Sequence, residues 1–478
     1  MRIFLSAGEA SGDAYGAALV QQICEQASNL DWTESSIRNW LGIDGIDHLE
    51  KICELGQAAR KRLEESLWRL ADVQSIGPGL LESDQITLGE LVDRILKEVS
   101  GFCEYDRKAI SEIQFEGLGG SKMRAAGVSL LADTSSWGAI SIAQAAKVFF
   151  RIYYHFLRTK KRLKQGQPGL FVPIDFGYAN IRIAKFAKRH GWKVLYFIPP
   201  GSWRRDRQGK DLPELADEIV TPFSWSADIL EKMGAHVHWY GHPVKQLIRD
   251  HKVQTEAGRP FQRTLAVLPG SRKHELDLNL PVIAAAVGSL PSGVVSRISP
   301  EKAHDALHPE LVSLNAPIEF GLASSIDLDK FRIEWQRLAP GRVDTFTVGD
   351  TYGVLRRASA AVVCSGTATL EAALNHCPMV VIYQVSDSMR REAKLIRLKR
   401  PKFISLPNIM LEREVVPELV ESTDASVPAL RHWIELLLSD ESTRQAQISA
   451  FKELDDALGP DDAITRTAEL AISMISST

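Results

Sequence analysis

Arg2-Ile3-Phe4-Leu5-Ser6-Ala7-Gly8-Glu9-Ala10-Ser11-Gly12-Asp13 is the stretch on which the fold turns. Arg2–Ala7 has the length and composition of a strand buried on both faces. A glycine turn follows it, and Tyr15–Ile23 then carries helical periodicity. Strand, glycine turn and helix in this order open a doubly wound α/β domain. The turn suits an anionic or polar ligand, because glycine admits close backbone approach and a helix N-terminus presents free N–H groups. A plain strand-to-helix turn, with Asp13 in the first helical turn, is the alternative.

Outward from this start, Gly169–Ile174 and Lys193–Ile198 read as buried strands with the helix Ile181–His190 between them. Glu218–Thr221 and His236–Tyr240 follow as strands. Lys252–Gln262 is polar, contains Gly258 and Pro260, and reads as an interdomain linker. A second set starts at Thr264–Leu268 and includes Ala360–Cys364 and Met379–Tyr383. The expectation is an α/β protein of two Rossmann-like domains, residues 1–251 and 262–478, facing a cleft in the GT-B manner. Between about 30 and 113 the texture is charged and helical in period, broken at Ser75–Gly79, which predicts a helical insertion.

Composition bounds the partners. At 478 residues the chain is too long for one core. A net charge of −3 gives no general basic field for nucleic acid. The five cysteines show no C-x-x-C spacing, against a disulfide framework or zinc site and for a reducing compartment. The first residues do not read as a signal peptide, and no apolar run reaches about 18 residues, so no bilayer-spanning helix is expected.

Two further turns suit phosphate. Leu268-Pro269-Gly270-Ser271-Arg272 follows a strand, where Arg272 can form a two-pronged bond to phosphate and Ser271 can add a hydroxyl. Cys364-Ser365-Gly366-Thr367-Ala368-Thr369-Leu370-Glu371 opens a helix whose N-terminus suits a diphosphate. Thr369 or Thr367 could donate a hydroxyl, and Glu371 could take a ribose hydroxyl. A solvated surface Arg and ordinary N-capping are the plain alternatives. Asp327-Leu328-Asp329 lies in a polar segment and reads as a chance D-x-D. His242, in Gly241-His242-Pro243, reads as a domain-junction residue.

Taken together and in order, GEASGD at 8–13, the glycine motif Phe115–Gly127, Gly241-His242-Pro243, LPGSR at 268–272, SGTATLE at 365–371, CPMVV at 377–381 and SLPN at 405–408 resemble the lipid-A-disaccharide synthase family. The resemblance implies a metal-independent inverting GT-B glycosyltransferase of Gram-negative bacteria. Such an enzyme joins UDP-2,3-diacylglucosamine to 2,3-diacylglucosamine 1-phosphate and releases UDP. It implies no cofactor, and a homodimer is compatible with it. Glu9 and Asp175 match its acidic positions, Arg272 its phosphate-side arginine, and Asn408 the asparagine after Ser-Leu-Pro. Ser365, Gly366, Thr367 and Glu371 match its nucleotide turn. Asp175 is then the first choice for the base and Glu9 the second, with Arg272 and the helix start at Ser365–Thr369 stabilising UDP.

Departures fall on the acceptor side. Tyr178 stands where the family has a second aspartate, and Arg205 where its Trp-x-Trp has the second tryptophan. A related UDP-sugar enzyme with another lipid acceptor, an epimerase, or a non-catalytic nucleotide-sugar-binding protein are the alternatives. Lipid substrates need a docking route, and Trp137–Gln165 offers one. Phe149, Ile152, Tyr153 and Phe156 lie at helical spacing, amid cations that include Arg158, Lys160, Lys161 and Arg162. This predicts peripheral binding to an anionic membrane surface, on the cytoplasmic face. A core-packed helix ending in a solvated charge run is the alternative.

Overall fold

The computed structural model describes residues 1–28, 113–134, 137, 142–255, 264–288, 317–395, 402–420 and 423–476. The expected insertion at 30–113 therefore lies almost entirely outside the described residues. The chain divides into two compact units. One holds Met1, Gln21–Gln114 and Ile475–Thr478, of which the described part is mainly the end of the first helix. The other holds Arg2–Val20 and Phe115–Met474 and carries both sheets.

The first sheet comprises β1 (Arg2–Ala7), β2 (Gln114–Gly119), β3 (Ser129–Asp133), β4 (Leu170–Ile174), β5 (Lys193–Phe197), β6 (Glu218–Val220) and β7 (Val237–His238). Its strand order is β3-β2-β1-β4-β5-β6-β7. The second comprises β8 (Thr264–Leu268), β9 (Ile318–Leu322), β10 (Thr345–Val348), β11 (Ala358–Cys364), β12 (Met379–Ile382) and β13 (Glu418–Leu419), in the order β10-β9-β8-β11-β12-β13. The central pairs β1–β4 and β8–β11 run parallel, with Ile3 opposite Leu170 and Val362 opposite Val267. Helices cover both faces of a parallel sheet, so its central strands must be apolar throughout. Every residue of β4 and β8 is buried, as is all of β1 except Arg2.

The two lobes exchange their terminal helices. Helix Pro243–Thr255 follows the first sheet but packs against Thr351–Arg357 and Thr367–Leu374 of the second lobe. Helix Ala463–Ser476 returns to the first lobe, where Lys193 Nζ donates to the Met474 carbonyl at 2.8 Å. Gln246 clasps the two helices together. Its Nε2 donates to Thr465 Oγ1 at 2.7 Å, and its Oε1 accepts from the Ile464 and Thr465 N–H groups at 2.7 and 3.0 Å. The linker expected from Lys252 begins later, because Lys252–Thr255 completes a helix; residues 256–263 lie outside the described residues.

Candidate active site

The winding of each sheet reverses once, between β1 and β4 and between β8 and β11. In doubly wound sheets the crevice beyond the carboxyl ends of the strands at this reversal is where ligands bind. The turns singled out in the sequence occupy these two places. Gly8–Asp13 follows β1 and Asp175 follows β4, while Pro269–Arg272 follows β8 and Ser365–Thr367 follows β11.

The first lobe's turns are held tightly. Asp175 and Phe176 both adopt the left-handed conformation, with φ of 47° and 48°. Such strain persists only where the surroundings over-determine it. Here the buried Asn180 does so, donating through Nδ2 to the carbonyls of Ser6 at 2.9 Å, Ile174 at 3.2 Å and Asp175 at 2.9 Å. The Ser6 hydroxyl donates to Asn180 Oδ1 at 2.6 Å. Phe176 is thereby laid over Gly8, where a Cβ would meet its ring at 2.1 Å, so only glycine fits. Asp13, buried, accepts from the Gly120, Lys122 and Met123 N–H groups at 2.7, 3.0 and 3.0 Å, and is thus a structural cap.

Across the cleft, Arg272 is gripped from both sides. Its Nη1 donates to the buried Glu275 at 2.8 Å and its Nη2 to Glu9 at 2.6 Å. Glu275 also accepts from the Ser271 and Arg272 N–H groups at 2.9 and 3.1 Å. Gly270, at φ 119°, leaves room for that carboxylate; a Cβ there would lie 2.6 Å from Glu275. Glu9, Asp175 and Arg272 form one electrostatic cluster. Burial pushes the Asp175 carboxyl up to about 6, the Glu9 charge adds to this, and the Phe176 N–H and Arg272 oppose it.

In the second lobe, several of the expected nucleotide residues build the turn itself. Ser365 Oγ donates to the Ile404 carbonyl at 2.8 Å. Thr369 is buried, donates to Gly366 O at 2.8 Å and accepts from Leu406 N at 3.2 Å. The Asn408 amide is buried and fully committed, to Val416 O and Glu418 at 2.9 Å each and from Val415 N and Val416 N at 2.7 and 3.0 Å. The amide therefore shapes the segment 405–418. Gly366, at φ 140° and exposed, Thr367 and Ser271 remain at the surface of the cleft. Burial raises Glu371 to about 7, against the lowering effects of Lys122 and of a hydrogen bond from Tyr352. Tyr15, Lys122 and Tyr352 were not singled out in the sequence. Each is an isolated polar residue whose relevance comes from proximity to Glu371.

Two expectations need restating. Asp327 caps helix Leu328–Leu338, accepting from Lys330 N at 3.2 Å, which accounts for the D-x-D. The membrane stripe is corrected in part. On helix Ile142–Leu163, Ile152 and Phe156 pack against the first lobe's own core. Lys160 lies over the Phe156 and Phe186 rings, at 4.4 and 5.0 Å, and Arg162 pairs with the buried Glu116. Of the expected stripe, Tyr153 stays exposed, and with Tyr154 and Leu157 (49%, 58% and 47% accessible) it forms the outer face, flanked by the expected Arg158 and Lys161. The physical reason is that a helix must first cover its own sheet. The Phe149 side chain lies outside the described residues. Among the described residues no helix is long and apolar enough to cross a membrane.

The sequence matches the family described as lipid-A-disaccharide synthetase over residues 86–297 and 324–466. The match begins at residue 86, within the segment expected as an insertion. The chain is 29% identical to a lipid-A-disaccharide synthase of Geobacter sulfurreducens, across 76% of this chain and 90% of that protein. It is 30% identical to one of Nitrosococcus oceani, across 77% and 90%. Among solved structures it is similar to an S. aureus MnaA–UDP co-structure, with 12% identity, a TM-score of 0.46, and coverage of 76% and 90%.

Proposed function

The chain belongs to the lipid-A-disaccharide synthetase family, and on this premise we propose that it transfers a 2,3-diacylglucosamine unit from UDP to 2,3-diacylglucosamine 1-phosphate, releasing UDP. The observation that carries this is the meeting of Glu9 and Arg272 at 2.6 Å, which sets the acidic turn of one lobe against the phosphate-type turn of the other. Asp175, whose carboxyl titrates at about 6, is ionised at neutral pH and takes the proton of the attacking acceptor hydroxyl. The acceptor oxygen forms the new bond to the donor's anomeric carbon as the bond to UDP breaks. Arg272 and the helix start at Gly366–Thr367 stabilise the departing diphosphate. The lobes are proposed as residues 1–251 and 262–478, with helix Pro243–Thr255 packed on the second and helix Ala463–Ser476 returning to the first.

Docking on the anionic inner face of the cytoplasmic membrane is part of the proposal. Exposed Tyr153, Tyr154 and Leu157 beside Arg158 and Lys161 support it. Mass spectrometry of the products formed from the two acylated sugars tests the reading, with EDTA present in a parallel reaction. The expected result is a tetra-acylated disaccharide phosphate in both. UDP release without a disaccharide would favour a related UDP-sugar enzyme, and loss of turnover in EDTA would overturn the metal-free leaving-group site.

A further inference from the structure

In the loop after β5, the Arg205 side chain reaches the second lobe. Its Nη2 donates to the Met410 carbonyl at 2.9 Å, at the end of helix Leu406–Leu411, and its Nε pairs with Glu412 at 2.9 Å. On its own side the guanidinium lies 4.0 Å from the Trp225 ring centroid, and Trp225 stacks on Phe223 at 4.6 Å. Phe223 in turn contacts His242, which neighbours Tyr15 in the cleft. On the far side, Ser405–Leu411 is the segment braced against the nucleotide turn by the Ser365–Ile404 and Thr369–Leu406 hydrogen bonds. Arg205 thus ties the loop nearest the acceptor-side turn to the support of the proposed UDP site. Both ends of the Arg205–Glu412 pair are partly exposed, 41% and 65%, so the link is weak enough to open and re-form.

We infer that Arg205 is a positioning residue, an interlobe latch that holds the loop 199–211 against helix Leu406–Leu411 when the cleft is closed. The inference rests on the transferase reading above. The latch contributes to bringing the two substrates together and nothing to UDP binding alone, because the nucleotide turn keeps its own braces, Ser365 to the Ile404 carbonyl and Leu406 N–H to Thr369, without it.

Arg205→Ala and Glu412→Gln should lower kcat/KM for disaccharide formation about 3- to 20-fold, the alanine more, while the Kd for UDP stays within about two-fold of wild type. The exchanged pair Arg205→Glu/Glu412→Arg should recover part of the loss, since it restores the ion pair but not the Met410 bond or the ring contact. Hydrogen exchange gives a readout free of turnover. Amides in 199–211 and 406–412 should exchange faster together in both single variants. If exchange rises as expected but wild type makes no disaccharide, the transferase reading fails and the latch stands. Unchanged exchange in both segments, kcat/KM within two-fold of wild type, or UDP affinity falling in step with turnover would overturn the latch.

Discussion

Arg272 shows how one side chain can brace its own turn and reach across the cleft. One guanidinium nitrogen is spent on the buried Glu275, which fixes the fork, and the other faces Glu9 across the cleft. Arg272→Ala should cut turnover roughly 30- to 1000-fold, the cost of a lost charged phosphate contact. It should also lower stability by about 1 kcal/mol, because Glu275 keeps its backbone donors but loses a charged one. Steady-state rates and urea midpoints measured together check both halves. Asp175 gives a pH signature. Acting as a base it must be ionised, so kcat/KM should rise with pH and level off above about 6. Stability runs the other way. The folded carboxyl is raised from 3.8 to about 6, so the unfolded chain ionises first. The contribution is whole below pH 3.8, declines as pH rises, and is lost above about 6. Asp175→Asn never carries the buried charge. It should match wild type in stability near pH 4 and exceed it at pH 8 by at most about 3 kcal/mol, at about 1.4 kcal/mol per pH unit. A pH-independent stability difference would count against the buried charge. The placement of Glu9, Asp175, Arg272 and Glu371 in or beside strand-end turns was legible from strand-turn patterns. The inward commitment of Thr369 and Asn408 was not, since a Thr or Asn in a turn reads the same whether its polar atoms face a ligand or the protein.

At the scale of the element, helix Ile142–Leu163 separates two kinds of cation. Arg162 pairs with Glu116, whose other partner is Arg2 at 2.9 Å, and Lys160 lies over aromatic rings; both are part of the packing. Arg158 and Lys161 are exposed. Reversing Arg158 and Lys161 to Glu should release the protein from anionic vesicles while leaving its unfolding midpoint within about 0.5 kcal/mol. Arg162→Glu should destabilise by about 1–3 kcal/mol, because it sets a like charge against a buried carboxylate. Sedimentation with vesicles and urea unfolding distinguish the two groups, and vesicle binding unaffected by the Arg158/Lys161 reversal would sink the docking role. Strands β1 and β8 stand at the bounds read from sequence, because a run buried on both faces is apolar from end to end. Strands β2, β3, β9, β10 and β13 were not read as strands. The run of β2 is Gln-Phe-Glu-Gly-Leu-Gly, whose glycines resemble a turn, and the short β10 is exposed at both its ends.

At the scale of the molecule, the lobes are joined by more than a linker. Removing the clasp of Gln246 on the last helix takes away the side-chain acceptor of the Ile464 and Thr465 N–H groups. Gln246→Ala should therefore cost about 2–4 kcal/mol, read as a shift of the urea midpoint. A cost below about 1 kcal/mol would show that water replaces the clasp. The sequence by itself determined the α/β class, the two sheet-forming sets and the glycine turns at the strand ends, because hydrophobic period and glycine placement are local properties. Only the tertiary structure decided which helix returns to which lobe, which turn hydroxyls are spent on the protein itself, and that Glu9 faces Arg272 and Arg205 reaches Met410 and Glu412. The contacts of Glu9 with Arg272 and of Arg205 with Met410 join residues 263 and 205 positions apart, and they depend on how two independently patterned sheets close on one another, which no local periodicity encodes.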